Sequence, residues 1–418
     1  YWTYDLNTID KHFGTAEDLR ALAEEAQKYG IGIILDLVVN HVGYGSPLVE
    51  QKPDWFHPAL TIEDWNDPVQ LTDRQVHGLP DLNQDNPAVY DYLLGAAQKW
   101  LSIPNVTGYR LDAVKHVKLD FWKKFNATLA DNHPNRMLLG EYFDGDPRKV
   151  DEVHKNGRFT HLFDFPLAFA LRDVFCGHST LDYLANILPN DRLYADPQKM
   201  VTFIDNHDMP RFISTCGGDL DAMRRAINVM MSLRGVPSVY YGSEVPLEGA
   251  EEPYNRADMV FEHAQLFDDI KQALARRSAY PVLRFGKTGT IHFEPDFLVI
   301  GRDHGAQKAL ILVSEAASAK NYVLPDGNWF DADTKVSLSG TIDVAPKSVR
   351  VLVTNDATIK KDLITNTTRN VTFRFPNDGF NYALVGSSPE LGQWDPARAP
   401  RPQNGSLSLD LPSQSVIA

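Results

Sequence analysis

The nine residues GYRLDAVKH (108–116) place Arg110, Asp112, Lys115 and His116 at the end of an otherwise apolar strand. Residues two apart on a strand share a face, so Arg110 and Asp112 project together with Leu111 turned away. A guanidinium beside a carboxylate keeps it ionised and fixes its orientation. Taken alone, such a pair serves a fold as readily as a reaction. Two more carboxylates shift that balance, Glu141 in MLLGEYF and Asp208 in FIDNHD, each at or just past an apolar strand. Two carboxylates at short separation are what retaining glycoside hydrolysis requires, one as nucleophile and one as proton donor. Spacing alone leaves a divalent-metal site as the alternative.

Regular elements must hold these side chains. TAEDLRALAEEAQKYG (15–30) reads as a helix, capped by Thr15, with Asp18 at the capping-box position and Gly30 at the stop. Leu19, Leu22, Ala23, Ala26 and Tyr29 form its apolar stripe. IGIILDLVVNH follows as a near-continuous apolar run, the pattern of a strand covered on both faces. Residues 43–85 are irregular and read as an inserted subdomain, and Asn86-Pro87 opens a helix to Leu101. GYRLDAV, MLLGEYF, HLFDFP, MVTFIDNH and PSVYYG read as strands, with helical patterns between several of them, one near 120–130. Alternating strands and helices predict an α/β chain with a parallel sheet. Arg110, Asp112, Glu141, Asp164 and Asp208 at or just past strand ends fit the catalytic face of a (β/α)8 TIM barrel. An open doubly wound sheet would place polar strand ends similarly. Six strands are two short of a barrel, and YWTYDLNTIDKHFG has no initiator or targeting character, so the expectation is a barrel lacking its first strands.

Beyond residue 283, FLVIGRD, KALILVSE, NYVLP and SVRVLVT follow one another without helices, which predicts an antiparallel β domain over 284–353. Residues 354–369 read as a linker, and a third module covers 370–418. The 418 residues fit two or three domains, and the formal charge of −14 argues against a nucleic-acid partner. The longest apolar stretch is too short to span a bilayer and contains Asp36. Cys176 and Cys216 either pair, if the protein is secreted, or are two separate buried thiols.

The motifs together resemble the α-amylase family of glycoside hydrolases (family 13). DLVVNH, GYRLDAVKH, LLGEYF and FIDNHD resemble its four motifs in order. LPDLN (79–83) resembles the motif of the subdomain inserted after the third strand, and GVPSVYYGSE (235–244) the last barrel strand. The resemblance implies Asp112 as nucleophile, Glu141 as general acid and base, and Asp208 as the carboxylate that holds hydroxyls of the distorted sugar. It implies that Arg110 keeps Asp112 ionised, and that His41 and His207 bond the sugar at the cleavage subsite. Lys115 and His116 would line the leaving-group side, and Arg256 in PYNR would bind the next sugars on the glycon side. Glu252 stands where related sequences often have Asp. Calcium is implied as well: Asn40, Asp81 and the carbonyl of His116 match its ligands, with Glu63 or the carbonyl of Thr72 as fourth.

The implied activity is α-amylase hydrolysis of starch, glycogen and maltooligosaccharides by a secreted monomer. Cyclodextrin glucanotransferases are the runner-up, but His77 and Leu119 stand where those enzymes carry aromatic residues that hold an acceptor sugar. YALVGSSPELGQWDPARA (382–399) resembles the start of a family 20 starch-binding domain, with Trp394 as a sugar-stacking residue of a partial β-sandwich module. A non-catalytic starch-binding fragment is the alternative of another class. The family's stacking Tyr and its neighbouring His would precede Tyr1, so this piece is expected to be inactive or unstable by itself.

Overall fold

The structure is a computed structural model that describes residues 3–262, 264–355, 368–375, 383–384, 399–403 and 406–412. The linker and the third module, with Trp394, fall largely outside the described residues. The chain folds as two compact units, Tyr1–Phe163 and Asp164–Ala418.

In the first unit the parallel strands β1 (Ile33–Leu37), β2 (Val106–Leu111), β3 (Met137–Gly140) and β4 (His161–Phe163) alternate with helices. The helix Ala16–Lys28 carries the expected reciprocal capping box between Thr15 and Asp18, and Gly30 follows it at φ +70°. The helix Pro87–Leu101 begins on Asn86, whose side chain accepts from the Ala88 N–H. Two expectations need correction. β1 pairs only with β2 among the described residues, so Ile34 and Asp36 are exposed and the strand is not covered on both faces. On the helix before it, only Ala23 of the apolar stripe is buried, while Leu22 and Tyr29 are exposed.

Register in this unit decides where chemistry can occur. Asp36 lies opposite Arg110, Arg110 opposite Leu139, and Leu111 opposite Gly140. Gly108 sets the spacing of β2 and β3, because a Cβ there would lie 2.1 Å from the Met137 carbonyl oxygen. No side chain fits between those backbones.

In the second unit, β5 (Met200–Thr202) and β6 (Val236–Pro237) pair in parallel. The strand expected over PSVYYG is thus only two residues long. The helices Phe165–Phe175 and Leu220–Ser232 pack on an antiparallel sheet of β7 (Lys287–Glu294), β8 (Phe297–His304), β9 (Gln307–Ser314), β11 (Trp329–Asp331), β12 (Ser337–Leu338) and β14 (Ser348–Thr354). β10 (Lys320–Val323) and β13 (Thr341–Val344) form a second, two-stranded sheet. Strand alternation explains why the first half of β8, Phe297–Ile300, is apolar at every position. Leu298 and Ile300 join the core beneath the helices, and Phe297 and Val299 join Trp329, Ile342 and Val344 on the other face. Asp164, expected among the functional strand ends, is fully buried, caps the helix Phe165–Phe175 and pairs with Arg234. Its role is structural. Cys176 and Cys216 form a disulfide across 40 residues of sequence. Further along, β15 (Thr368–Arg374) pairs antiparallel with β16 (Ser406–Pro412). Among the described residues, no helix is long and apolar enough to cross a membrane.

Gly108→Ala is expected to cost on the order of 3 kcal/mol by forcing the β2 and β3 backbones apart. Thermal denaturation would show it, and an unchanged Tm would mean that the two strands accommodate the methyl without shifting register.

Candidate active site

β2 ends in a chain reversal that gathers the polar side chains of the first unit. Ala113 adopts the left-handed conformation at φ 48°, uncommon for a residue with a Cβ. Its N–H donates to Glu141 Oε2 at 2.9 Å, and the Val114 N–H donates to the Glu141 carbonyl at 3.0 Å. The Glu141 carboxyl at the end of β3 is therefore tied to the residue that follows Asp112.

Arg110 is the centre of this cluster. Its Nη1 donates to Asp36 Oδ1 at 3.0 Å, to Asp36 Oδ2 at 3.2 Å and to Asp112 Oδ1, and its Nη2 lies 4.0 Å from Glu141 Oε2. Burial works against the guanidinium charge, but Asp36, Asp112 and Glu141 outweigh it and push its pKa above the ordinary arginine value. One permanently charged fork thus serves three carboxylates. Arg110 brings Asp112 and Glu141 to one place. Asp36 was not foreseen as a partner, although a charge interrupting an apolar strand opposite Arg110 was the available signal.

His41 is held below the usual imidazole pKa by burial, against the pull of Asp112, and so favours the neutral form that can both donate and accept. His116 is likewise lowered by burial, and its Nδ1 lies 3.0 Å from the Leu71 carbonyl. Lys115 reaches Asp144 Oδ2 at 3.2 Å. Two of this unit's exposed aromatic residues are Trp65 and Phe143, the latter closing the LLGEYF motif. Trp65, 51 % exposed, meets the His116 ring edge-on with centroids 5.9 Å apart. Its loop is firmly built, since the Glu63 and Asp64 N–H groups both donate to Gln70 Oε1. Phe143, 43 % exposed, follows Glu141 by two residues.

The candidate cation ligands divide. The backbone bridge between His41 and Asp81, with the Leu82 N–H on the Asn40 carbonyl at 2.9 Å, sets the Asn40 and Asp81 segments side by side. Among the described residues, Asn40 Oδ1 and Asp81 Oδ1, both buried, have no hydrogen-bond partner. Asp81 Oδ2 meets His57 Nδ1 at 2.7 Å, and burial raises the Asp81 pKa to about 6 despite that bond. Two orphaned, buried oxygens are an expensive arrangement unless something positive faces them. Glu63 stands apart from this pair: its side chain is 79 % exposed and 3.9 Å from Arg74 Nη1. The Thr72 hydroxyl is engaged locally, bonding the Pro68 carbonyl and Asp73. Among the described residues, no group of three or more His, Cys, Asp or Glu is placed to hold a metal, so a cation here would rely on amide and backbone oxygens beside Asp81.

In the second unit, Asp208 is held on both carboxylate oxygens. Arg256 Nη2 donates to Oδ1 at 2.9 Å, and His207 Nε2 lies 3.1 Å from Oδ2. Arg256 Nη2 also meets Glu252 Oε1 at 2.7 Å. Asp208, His207, Arg256 and Glu252 therefore form one group. Upstream, Asp205 Oδ2 accepts from the Phe212 N–H at 2.8 Å, while its Oδ1 is buried and has no partner among the described residues.

Comparison with known proteins decides the family. The model of the alpha amylase catalytic domain matches residues 1–282. The chain belongs to the α-amylase family. Its fold is accordingly the parallel β/α barrel fold of that family, followed by antiparallel β sheets. Among its relatives, a beta/alpha-amylase of Paenibacillus polymyxa is 28% identical over 84% of this chain and 31% of its own length. A cyclomaltodextrin glucanotransferase of a Bacillus species (strain 38-2) is 31% identical over 79% of this chain and 50% of its own. The structure of an α-amylase from Geobacillus thermoleovorans, solved with acarbose, superposes with a TM-score of 0.80 at 30% identity, covering 84% of each chain. This α-amylase family chain spans between a third and three-fifths of the length of such curated relatives.

The buried Asp205 gives a pH test. Burial lifts its pKa to about 6, against the Phe212 N–H bond and the Arg211 charge, so the folded state binds the proton more tightly than the unfolded chain. Its stabilising share is complete below the unfolded value of 3.8 and is lost as pH rises toward 6. Asp205→Asn removes that loss. At pH 7.5 the variant is expected to melt higher, by a stability gain on the order of 2–3 kcal/mol, and at pH 3.5 the gain disappears. An equal or lower Tm at pH 7.5 would refute the assignment.

Proposed function

We propose that the full-length protein is an endo-acting α-amylase that hydrolyses α-1,4-glucosidic bonds of starch, glycogen and maltooligosaccharides with retention. The observation that carries this reading is the cluster of Arg110, Asp112, Glu141 and the Ala113 N–H. Asp112, oriented by Arg110, attacks the anomeric carbon, and Glu141 gives its proton to the departing glycosidic oxygen. Glu141 then takes a proton from the water that releases the sugar from Asp112. We assign Asp208 to sugar hydroxyls, His207 and the neutral His41 to the cleavage subsite, Glu252 to the glycon side, and Lys115 and His116 to the leaving-group side. The Cys176–Cys216 bond supports an oxidising, extracellular setting for a protein that we take to act as a monomer.

Calcium belongs to this proposal. Asn40 Oδ1, Asp81 Oδ1 and the His116 carbonyl are the oxygens that would hold it, and hard oxygen donors suit it. Its charge would compensate the buried carboxylate and tie the region 43–85 to the strand ends. Chelation is then expected to lower Tm by several degrees, with added Ca2+ restoring it (on the order of 2 kcal/mol of linkage). A Tm indifferent to chelator would remove calcium from the account.

A second reading, glucanotransferase activity, is favoured by one observation. The exposed Trp65 and Phe143 offer aromatic faces to an acceptor sugar, although His77 and Leu119 lack them. Product analysis of soluble starch digested by the full-length protein separates the two: linear reducing sugars support the amylase, and dominant cyclodextrin overturns it. Asp112→Asn and Glu141→Gln should each lower kcat on the order of 10³-fold or more with Tm retained. Unchanged activity in either variant would sink the mechanism.

A further inference from the structure

Resemblance assigns Arg256 to sugar binding, but its surroundings suggest a different task. The turn 249–256 grips the segment 205–214 that carries Asp208. Asn255, buried, donates through Nδ2 to the His207 carbonyl at 2.9 Å and the Met209 carbonyl at 3.1 Å, one residue to either side of Asp208. Arg256 Nε donates to the same His207 carbonyl at 2.9 Å, while its Nη2 meets Asp208 Oδ1 at 2.9 Å. The grip is reciprocal. The Arg211 N–H donates to the Gly249 carbonyl at 2.8 Å, Arg211 Nε to the Asn255 carbonyl at 2.8 Å, and the Gly249 N–H to Ser214 Oγ at 2.8 Å. The Arg211 guanidinium also stacks on Tyr240, 3.8 Å from the ring centroid.

A side chain that serves only to bind sugar keeps its donors aimed at the ligand. Arg256 instead directs Nε and Nη2 into the protein, on the backbone before Asp208 and on the Asp208 carboxylate itself. A planar fork fixed on the His207 carbonyl and Asp208, with Glu252 bracing Nη2, sets both the position and the rotation of the carboxylate it holds. We propose that Asn255 and Arg256 are positioning residues, a clasp that orients Asp208 for the reaction. This inference rests on the glycosidase reading above. It differs from a binding role in its kinetic signature. Misorienting a group that acts mainly in the transition state lowers kcat, whereas losing a sugar contact raises KM.

The test uses the full-length protein with soluble starch. Arg256→Ala is expected to lose on the order of 10- to 100-fold in kcat with KM within about twofold, because small misplacements carry costs of that size. Arg256→Lys, whose single ammonium can reach Asp208 or the His207 carbonyl but not both, should fall between, again at constant KM. Millimolar guanidinium ion should partly restore kcat in Arg256→Ala. If Arg256→Ala melts below the assay temperature, Arg256→Lys carries the test. A raised KM at unchanged kcat, or unchanged kinetics, overturns the clasp. Failure of the underlying reading is separable: then the unsubstituted protein releases no reducing sugar, or Asp112→Asn remains active.

Discussion

The arrangement of the first unit depends on one guanidinium. Arg110 lies among Asp36, Asp112 and Glu141, and removing any ion from water into a partly buried setting is costly without compensation. Three carboxylates would repel one another and take up protons; one fixed cation lets them share a small space. Arginine suits this position because its charge persists at any working pH and its donors fan out in a plane. The three carboxylates come from three strands, so their meeting depends on register. A one-residue slip of β2 would turn Arg110 away from Asp36 and point Leu111 at it. The narrow contact of Gly108 with the β3 backbone and the site two residues later are thus parts of one constraint.

The second unit repeats the principle with different parts. Asp208 stands on a short segment after β5, where no long strand fixes it. Side-chain bonds to backbone carbonyls supply the rigidity that regular structure does not. Asn255 and Arg256 reach from the turn to the segment and Arg211 reaches from the segment back to the turn, each satisfying carbonyl groups that a loop leaves without ladder partners. Loops that carry functional carboxylates need such bracing, because an unbraced loop places its side chains only on average.

Much of this was legible in the sequence, for identifiable reasons. The pairing of Arg110 with Asp112 followed from strand alternation, and the helix starts at Thr15 and Asn86 from capping chemistry. Those are local rules. What escaped depended on contacts distant in sequence. Asp36 finds Arg110 across 74 positions, and the pairing of Cys176 with Cys216 was left open because spacing cannot choose it. Burial was misjudged on β1 and on the helix before it. An apolar pattern states which face prefers cover, and the neighbouring elements determine whether cover is present. PSVYYG promised a longer strand than Val236–Pro237 because aromatic and β-branched residues favour strands wherever they occur, and here Tyr240 is instead the platform for Arg211.

The choice between water and sugar as acceptor turns on the same distinction between local and distant signals. At His77 and Leu119 the chain lacks aromatic side chains, and a position-by-position reading therefore favours water. Trp65 reaches the neighbourhood of His116 from a loop fifty-one positions earlier, held by Gln70 and by the turn at Asp67. An indole kept half in solvent by a built loop offers a flat apolar face at no ordering cost when a ring arrives. Acceptor binding depends on where an aromatic face lies in space, and its place in the sequence is secondary. Reaction outcome then follows from competition. Water at bulk concentration wins unless the acceptor site holds a sugar long enough for Glu141 to deprotonate its hydroxyl in place of water. A single aromatic platform, worth on the order of 1 kcal/mol beyond area burial, biases that competition only several-fold. On the proposed amylase reading, transfer would be a secondary activity, and the balance between them would rest on Trp65 and Phe143 more than on the carboxylates assigned to bond cleavage.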